Sequence, residues 1–318
     1  MILPAPSPAS SPTVQTLVTG VTGYVGAALV PRLKHDGHAV RGYARSASRV
    51  TAGVDETVEG DAIAGSGLAR ALDGVEVAYY LIHSMERASQ GTFEAQERMA
   101  AERFAAAATA AGVRRVVYLG GLVPQDVAPS VHLRSRLAVE EILLACAPES
   151  VALRASIVIG ARSRSFRFLV RLIERLPVLA LPAWRSNVTR PIDGRDVLEF
   201  LAAAATVDTA HTGRSWDIGG PDQLAYGEML RRIADAMLVD RPTIGFDFTL
   251  TPIASVIAAA VAGEDAALIA PLMQSLEHDL LPRHDDAAAV FGVPTHRFEA
   301  AVERALRDWE RDEEVAAR

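Results

Sequence analysis

The stretch Thr16 to Leu33, TLVTGVTGYVGAALVPRL, constrains this chain more than any other. An apolar run ends at Thr19, glycines fall at Gly20, Gly23 and Gly26, and an apolar helical pattern follows through Ala27, Ala28, Leu29, Val30 and Leu33. That order is strand, glycine turn, helix. Gly20 lets the chain turn sharply off the strand, Gly23 lets backbone N–H groups approach a pyrophosphate, and Gly26 lets the helix pack closely on the strand. The first N–H groups of the helix and the positive end of its dipole then form an anion site. Three glycines alone also suit an ordinary tight turn. The flanking periodicities select the dinucleotide reading, with Thr22, Tyr24 and Val25 on the same binding surface.

Beyond Leu33 the chain repeats the strand and helix alternation. Ala39 to Tyr43 is a second strand, followed by Ala44, Arg45 and Ser46, with no acid until Asp55. An acidic residue at that strand end accepts from the ribose hydroxyls of NAD, whereas a 2′-phosphate requires a cation and small donors. Arg45 and Ser46 supply the second chemistry, which favours NADP(H) over NAD(H). A third strand ends near Val58, before Glu59, Gly60, Asp61 and Ala62. Asp61 has two readings: it accepts from the adenine amine, or it caps the helix that carries Leu68, Ala71 and Leu72. Val75 to Ile82, VEVAYYLI, has the apolar run of a strand buried on both faces. Its end places Leu81, Ile82 and His83, followed by Ser84 and Met85, beside the cofactor, because strand carboxyl ends line the ligand crevice in such sheets. A helix over Phe93 to Ala111 is stopped by Gly112, and a strand over Val113 to Leu119 ends at Gly120 and Gly121. A helix over Arg134 to Ala145 leads to a strand over Val151 to Gly160. The fold class is therefore α/β, a doubly wound parallel (Rossmann) sheet, with a smaller C-terminal α+β region. Residues 1–13 read as a flexible tail, 14–160 as the nucleotide-binding domain with returns from 193–220, and 161–318 as a substrate or partner region.

The whole chain narrows the function classes. Its 318 residues, half of them hydrophobic, suffice for a large core. The net charge of −7 and pI near 5.7 argue against a general nucleic-acid binder. The single cysteine, Cys146, allows neither an intramolecular disulfide nor a cysteine metal cluster, and fits a reducing, cytoplasmic location. The N-terminal MILPAPSPASSPT lacks the pattern of a secretory signal, and the most apolar later segment, Ile253 to Ala262, is too short to span a bilayer. Asp279, His284, Asp285 and Asp286 lack helical ligand spacing, so no metal site is expected.

The residues TGVTGYVG at Thr19 to Gly26, GDA at Gly60 to Ala62, LRASIVIG at Leu153 to Gly160 and WDIGGPD at Trp216 to Asp222 resemble the short-chain dehydrogenase/reductase superfamily in its extended or atypical branch. YYLIHSM, YLGGL, HLRSR and RPIDGRDV are most similar to NmrA-like and complex I 39-kDa-subunit-like NAD(P)-binding proteins. The likeness runs from about Val14 to Tyr226. It implies a catalytic serine after the Val113 strand and a Tyr-x-x-x-Lys pair on the next helix. This chain departs at all three places: the serine position falls at Gly120 or Gly121, and His132-Leu-Arg-Ser-Arg136 replaces the pair. Arg136 retains a positive charge for the ribose contact but is a poor proton shuttle, and His132 is the candidate acid or base. Ser84 and Ser156 are the remaining sources of a hydroxyl.

Farther on, Arg162, Ser163, Arg164, Ser165 and Arg167 form a basic cluster suited to an anionic substrate, a cofactor phosphate, or merely a solvated helix start. A helix over Phe168 to Leu179 comes next, and Trp184 sits in a Pro-flanked loop able to wall a pocket. Asp193 and Asp196 stand at the entrance of a helix over Val197 to Ala205, where capping outranks a paired-carboxylate role. Trp216 to Gly220 reads as a strand, Tyr226 to Met237 as an amphipathic helix, and the last helix begins after Pro294 with Thr295 as N-cap. These features point to an NADP(H)-binding oxidoreductase-like protein with a non-standard catalytic set and an unidentified small-molecule substrate. The alternative is a non-catalytic NADP(H)-binding redox sensor or assembly factor. Nucleotide-sugar epimerisation or dehydration, which needs the tyrosine, is disfavoured, and self-association stays open.

Overall fold

The computed structural model describes residues 14–82, 90–247, 273, 276–311 and 313. His83, Ser84, Met85 and the segment Ile253 to Ala262 lie outside the described residues. In chain order the elements are β1 (Gln15–Thr19), α1 (Tyr24–His35), β2 (Ala39–Ala44), β3 (Glu56–Glu59), α2 (Leu68–Leu72), β4 (Val77–Tyr80), α3 (Gln90–Ala110), β5 (Arg115–Gly121), α4 (Val131–Ala145) and β6 (Val151–Ala155). Then come β7 (Val158–Ile159), α5 (Arg164–Arg175), β8 (Leu179–Leu181), β9 (Val188–Thr189), β10 (Ile192–Asp193), α6 (Gly194–Ala204), β11 (Arg214–Ile218), β12 (Leu224–Ala225), α7 (Tyr226–Ala236), β13 (Thr243–Gly245), α8 (Ala287–Phe291) and α9 (Phe298–Glu310).

Seven strands form one sheet in the order β11-β6-β5-β4-β1-β2-β3. Every pairing in it is parallel. The order reverses between β1 and β4, and that switch point opens a crevice at the strand carboxyl ends. Side chains alternate strictly between the two faces. Val18, Val77, Tyr79, Val117, Val151 and Leu153 pack under α1, α6 and α8, with Leu29, Val30, Phe200 and Phe291 among their partners. Leu17, Ala78, Tyr80, Val116, Tyr118 and Ala152 face α2, α3 and α4 on the other side. Period-two alternation between two apolar layers explains why these strands are apolar throughout.

A third core lies away from the sheet. Phe166, Leu169 and Ile173 of α5, Met229 and Ile233 of α7, and Val302, Leu306 and Trp309 of α9 build it. Segment 192–218 joins it to the sheet: β10 pairs with β7, α6 covers one face and β11 extends the edge. Arg115, buried at 1% exposure, donates to the carbonyls of Ala204 and Val207 at 2.8 and 2.9 Å and bridges Glu149 at 2.7 Å, tying β5 to the end of α6. Among the described residues no helix is long and apolar enough to cross a membrane.

Several boundaries differ from those expected from the sequence. The strand expected over Val151 to Gly160 breaks after Ala155, where the chain leaves β5 and Ile157 instead accepts a backbone bond from Ile192. The helix expected over Phe168 to Leu179 starts at Arg164 and stops at Arg175. Leu176, preceding Pro177, is forced into extended backbone (φ −92°, ψ 125°). Helix α4 begins three residues early because Ser130 caps it, accepting from Leu133 N at 3.4 Å. Thr295 is not the cap of the last helix, which begins at Phe298, whose N–H is taken by the Asp222 carboxylate at 2.8 Å. The edge strand expected over Trp216 to Gly220 spans Arg214–Ile218.

Candidate functional site

The switch point holds a cleft of about 740 Å³. Its floor is the glycine turn. Gly20 adopts a left-handed backbone (φ 65°), and a Cβ there would overlap the Leu81 carbonyl; a Cβ on Gly26 would overlap the Gly20 carbonyl. Both glycines are therefore fixed by close approach. Gly23 differs, with φ −84° and ψ 167°, a conformation open to any residue. A Cβ there would meet only the Gly20 oxygen, at 3.2 Å. Gly23 N donates to that oxygen at 2.8 Å, and α1 starts with no capping side chain and no acidic residue in its first turn. The positive end of α1 thus faces the cleft without internal compensation. Thr19 holds the turn to its neighbour strand: its hydroxyl donates to Tyr79 O and accepts from Leu81 N, each at 3.0 Å.

The cleft is lined at one end by Tyr43, Arg45, Ser46 and Arg49 from β2 and its following turn, with Asp61, Ala62 and Ile63 opposite. Arg45 is exposed at the rim. The Ser46 hydroxyl pairs with Ser48 at 2.9 Å, and Ala47 N donates to Glu59 at 3.0 Å. An acid does stand in this corner, but on β3 and engaged as a turn cap. Asp61 also caps: one carboxylate oxygen accepts from Ile63 N at 2.7 Å and Ala64 N at 3.3 Å. The helix at Leu68 is instead preceded by Gly67, so Asp61 does not cap it.

At the middle of the cleft stand Gly20, Thr22, Gly23, Tyr24, Val25 and Gly26, with Leu81 and Ile82 from the end of β4. The expectation for His83 falls outside the described residues. Beyond them the cleft is lined by Gly120, Gly121, His132, Leu133 and Arg136. His132 and Arg136 are four residues apart on α4 and present one face. Arg136 is buried; its guanidinium lies 3.7 Å from Glu97, whose other oxygen accepts from Ser135 at 3.0 Å. Burial opposes the Arg136 charge, but Tyr118 and Glu97 outweigh it and hold its pKa above the ordinary guanidinium value. Burial, reinforced by the Arg136 charge, pushes His132 down to about 4, so near neutrality its ring is uncharged. The absent serine has a steric side. A Cβ on Gly120 would stand 3.0 Å from the Tyr118 ring, whereas Gly121 has nothing nearer than 3.7 Å. Ser156 lines the cleft and donates its hydroxyl to the Arg190 carbonyl.

The far wall comes from Val158 and from Arg162, Ser163, Arg164 and Ser165 around the start of α5. Gln96, Leu133, Val158 and Ile63 also line the cleft, although nothing in the sequence marks them; each sits in an apolar or helical run indistinguishable from packing. Trp184 does not wall the cleft. It is buried in the third core, edge-on to Tyr226 at 6.4 Å between ring centroids. Asp193 caps α6, accepting from Arg195 N at 2.8 Å, and Asp196 binds His296 N and Nδ1 at 2.7 and 2.6 Å. The two carboxylates are engaged structurally. Among the described residues no cluster of histidine, cysteine or acidic side chains is placed to hold a metal.

Comparison with known proteins matches residues 20–157 to an NAD(P)H-binding family model. The chain is 29% identical, over 69% of its length and 72% of the relative, to (4-alkanoyl-5-oxo-2,5-dihydrofuran-3-yl)methyl phosphate reductase of Streptomyces griseus. It is 26% identical, over 45% of its length, to the mitochondrial NADH dehydrogenase (ubiquinone) 1 alpha subcomplex subunit 9 of Arabidopsis thaliana, of which it spans only 36%. The fold matches a short-chain dehydrogenase/reductase superfamily protein from Agrobacterium tumefaciens crystallised with bound NAD, at a TM-score of 0.70 and 21% identity, covering 94% of this chain and 97% of that one. Switch-point cleft, glycine turn and the match over residues 20–157 agree on an NAD(P)H-binding domain, and the chain shares the fold of that short-chain dehydrogenase/reductase neighbour over nearly its whole length.

Proposed function

We propose that this protein is an NADP(H)-dependent reductase of a small molecule whose reacting group is a carbonyl or a carbonyl-conjugated double bond. The observation that carries the reading is one continuous cleft with the uncapped start of α1 in its floor, Arg45 and Arg49 at one end, and the His132–Arg136 face beyond. Gly20, Gly23 and Gly26, with the N–H groups of Thr22, Tyr24 and Val25, would hold the pyrophosphate. Arg45, Ser46 and Arg49 would hold a 2′-phosphate, the second oxygen of Asp61 the adenine amine with Ala62 beneath, and Leu81, Ile82 and Arg136 the nicotinamide riboside. Residues 14–160, with the return at 193–220, form the nucleotide-binding part, and the remainder shapes the substrate end.

When bound, the nicotinamide supplies a hydride. The chain must then stabilise negative charge on the substrate oxygen. Arg136 is permanently charged and backed by Glu97, so it stabilises that charge by position, while uncharged His132 donates one hydrogen bond. Neither group is a strong acid at neutral pH. This set suits a conjugated substrate best, because an enolate delocalises its charge and water can protonate its carbon, whereas an isolated ketone needs a proton at oxygen. The Streptomyces griseus relative, a reductase of a ring bearing alkanoyl and oxo groups, supports this choice.

Fluorescence titration with NADPH and NADH tests binding and preference; failure to bind NADPH overturns the reading. Stopped-flow absorbance at the reduced nicotinamide band, against a panel of quinones, enones and aldehydes, tests turnover. The likeness to a respiratory-complex subunit favours a second reading, a non-catalytic protein that uses the cofactor as sensor or structural clamp. Binding without turnover of any panel member selects it.

A further inference from the structure

The acids around β3 divide unevenly between the cations near them. Asp55, just before the strand, bridges Lys34 at 2.6 Å, and Glu56 bridges Arg41 of β2 at 2.6 Å. Glu59, the last residue of β3, stands opposite Ala44, directly before Arg45. Its carboxylate nevertheless meets no arginine among the described residues and accepts the Ala47 N–H at 3.0 Å instead. Arg45 and Arg49, both lining the cleft, make no ion pair among the described residues.

The Glu59 bond falls where the chain has least hold on itself. Ala47–Arg49 is a single 3₁₀ turn, closed by Arg49 N to Ser46 O at 3.2 Å and Val50 N to Ala47 O at 3.1 Å. So short a turn bears the cost of nucleation without the gain of propagation, and its first N–H has no acceptor within it. Ser46 occupies the N-cap and is a capping residue by type, but its hydroxyl makes no capping bond and pairs with Ser48 at 2.9 Å. The cap comes from the neighbouring strand. Its origin there is fixed on two sides: Gly60 N donates to Ala44 O at 3.0 Å, and a Cβ on Gly67 would overlap the Glu59 carbonyl. One carboxylate therefore ties the turn that carries Arg45, Ser46 and Arg49 to the sheet, and it does so through the backbone, without neutralising either guanidinium group.

Resting on the NADP(H) reading, we propose that Glu59 is a positioning residue for cofactor choice: by holding the Ala47 N–H it presets Arg45, Ser46 and Arg49 for the 2′-phosphate. An acid on β3 thereby favours the phosphorylated dinucleotide. Fixing the turn before binding lowers the ordering cost that a 2′-phosphate would otherwise meet. The charge of Glu59 acts the other way, because a carboxylate repels a phosphate. Hydrogen bond and charge thus predict opposite effects of removing Glu59, and two substitutions separate them.

The test titrates the full-length wild type, Glu59→Ala and Glu59→Gln with NADPH and, separately, with NADH. Glutamine keeps an acceptor oxygen and loses the charge, whereas alanine loses both. Glu59→Ala is expected to weaken NADPH about fivefold, the scale of one lost cap, and NADH less than twofold. Glu59→Gln is expected to bind NADPH at least as tightly as the wild type. Amide exchange in the unliganded protein reads the bond directly: the Ala47 N–H should be protected in the wild type and Glu59→Gln, and exchange faster in Glu59→Ala. Glu59 is exposed on an edge strand, so the variants should melt within a few degrees of the wild type, and retained NADH binding serves as a second control on folding. Unchanged or tighter NADPH binding by Glu59→Ala overturns the proposal. So does equal weakening of NADPH in both variants, which would assign the effect to the charge, or equal loss of both dinucleotides in Glu59→Ala. A wild type that binds NADH as tightly as NADPH overturns the NADP(H) reading and this inference with it. That result differs from failure of Glu59 alone, in which the wild type prefers NADPH and Glu59→Ala keeps the preference.

Discussion

Gly23 has a backbone open to any residue, and a Cβ there would crowd just the Gly20 carbonyl oxygen, at 3.2 Å, so it is the glycine of the turn best suited to probing the cleft. Its backbone lies in a region valine adopts, and the space beyond its missing Cβ is the cleft. Gly23→Val should therefore leave the thermal midpoint within a few degrees of wild type while weakening NADPH at least tenfold, on the order of 1.4 kcal/mol or more. Unchanged affinity in titration would show that the pyrophosphate does not lie on the turn. Arg45→Ala asks about the other end. Loss of a guanidinium that pairs with a 2′-phosphate should cost NADPH about tenfold and NADH less than twofold; equal losses would remove the basis for preferring NADP(H). His132 tests the chemistry between them. Its folded pKa, about 4, lies below the ordinary 6.5, so on acidification the unfolded chain takes up a proton first. The stability it contributes is complete above about pH 6.5 and is lost as pH falls toward 4. The melting temperature of the wild type should consequently fall relative to that of His132→Gln from pH 7 to pH 4.5. A gap between the two that does not change with pH would mean His132 is not desolvated.

At the scale of elements, α1 and α4 line the cleft and α6 packs against α1. Tyr24, in the first turn of α1, places its ring against Gly160 and Gly194, where a Cβ on either would overlap the phenol. Its pKa is raised by burial, with Arg304 opposing and Asp193 and Asp308 adding. Asp193, fully buried at the start of α6, binds Arg195 at 2.8 Å and also Arg304 of α9. Burial works against its charge, but the two arginines and the Arg195 N–H prevail and hold its pKa below the usual carboxylate range. Asp193→Ala removes a helix cap, about 1 kcal/mol, and leaves two arginines without their buried partner. Because both guanidinium groups reach solvent in part, we expect a total of about 2–3 kcal/mol rather than the upper end for a buried pair, measured by urea denaturation; a loss below about 0.5 kcal/mol would show that the cluster is only a surface pair. These elements were unequally legible in the sequence. The strand–turn–α1 unit was legible because period and glycines coincide. The broken β6–β7 segment was not, since Ile157, Val158 and Ile159 carry strand-forming residues on past Ala155 and the break shows only in the pairing of β7 with β10. Strands such as β9, β10 and β12 are two residues long and carry no period. The cap of α9 was hidden because its acceptor, Asp222, is 76 residues away from Phe298.

For the whole molecule, the partition of apolar surface decides which pieces can exist alone. One face of the sheet is closed by α2, α3 and α4, which all precede residue 160. The other is closed by α1 together with Val197, Phe200 and Leu201 of α6 and Ala287 and Phe291 of α8, which come later in the chain. β11 covers the edge of β6, and Arg115 spends its buried donors on carbonyls at the end of α6. A fragment of residues 14–160 therefore keeps the glycine turn but exposes the part of one sheet face that α6 and α8 cover, an unpaired β6 edge and a buried arginine without its two carbonyl acceptors. Exposed apolar surface and a bare strand edge favour association over folding. Expressed alone, the fragment should aggregate or show fast amide exchange in β5 and β6, with no cooperative unfolding transition and no NADPH binding. The full chain should unfold cooperatively and gain stability with NADPH, by about 2.7 kcal/mol at one hundred times its Kd. A fragment that melts cooperatively and binds NADPH would show that the return segment merely decorates the nucleotide site; the packing of α6, α8 and β11 requires that segment to complete the sheet on which the site is built.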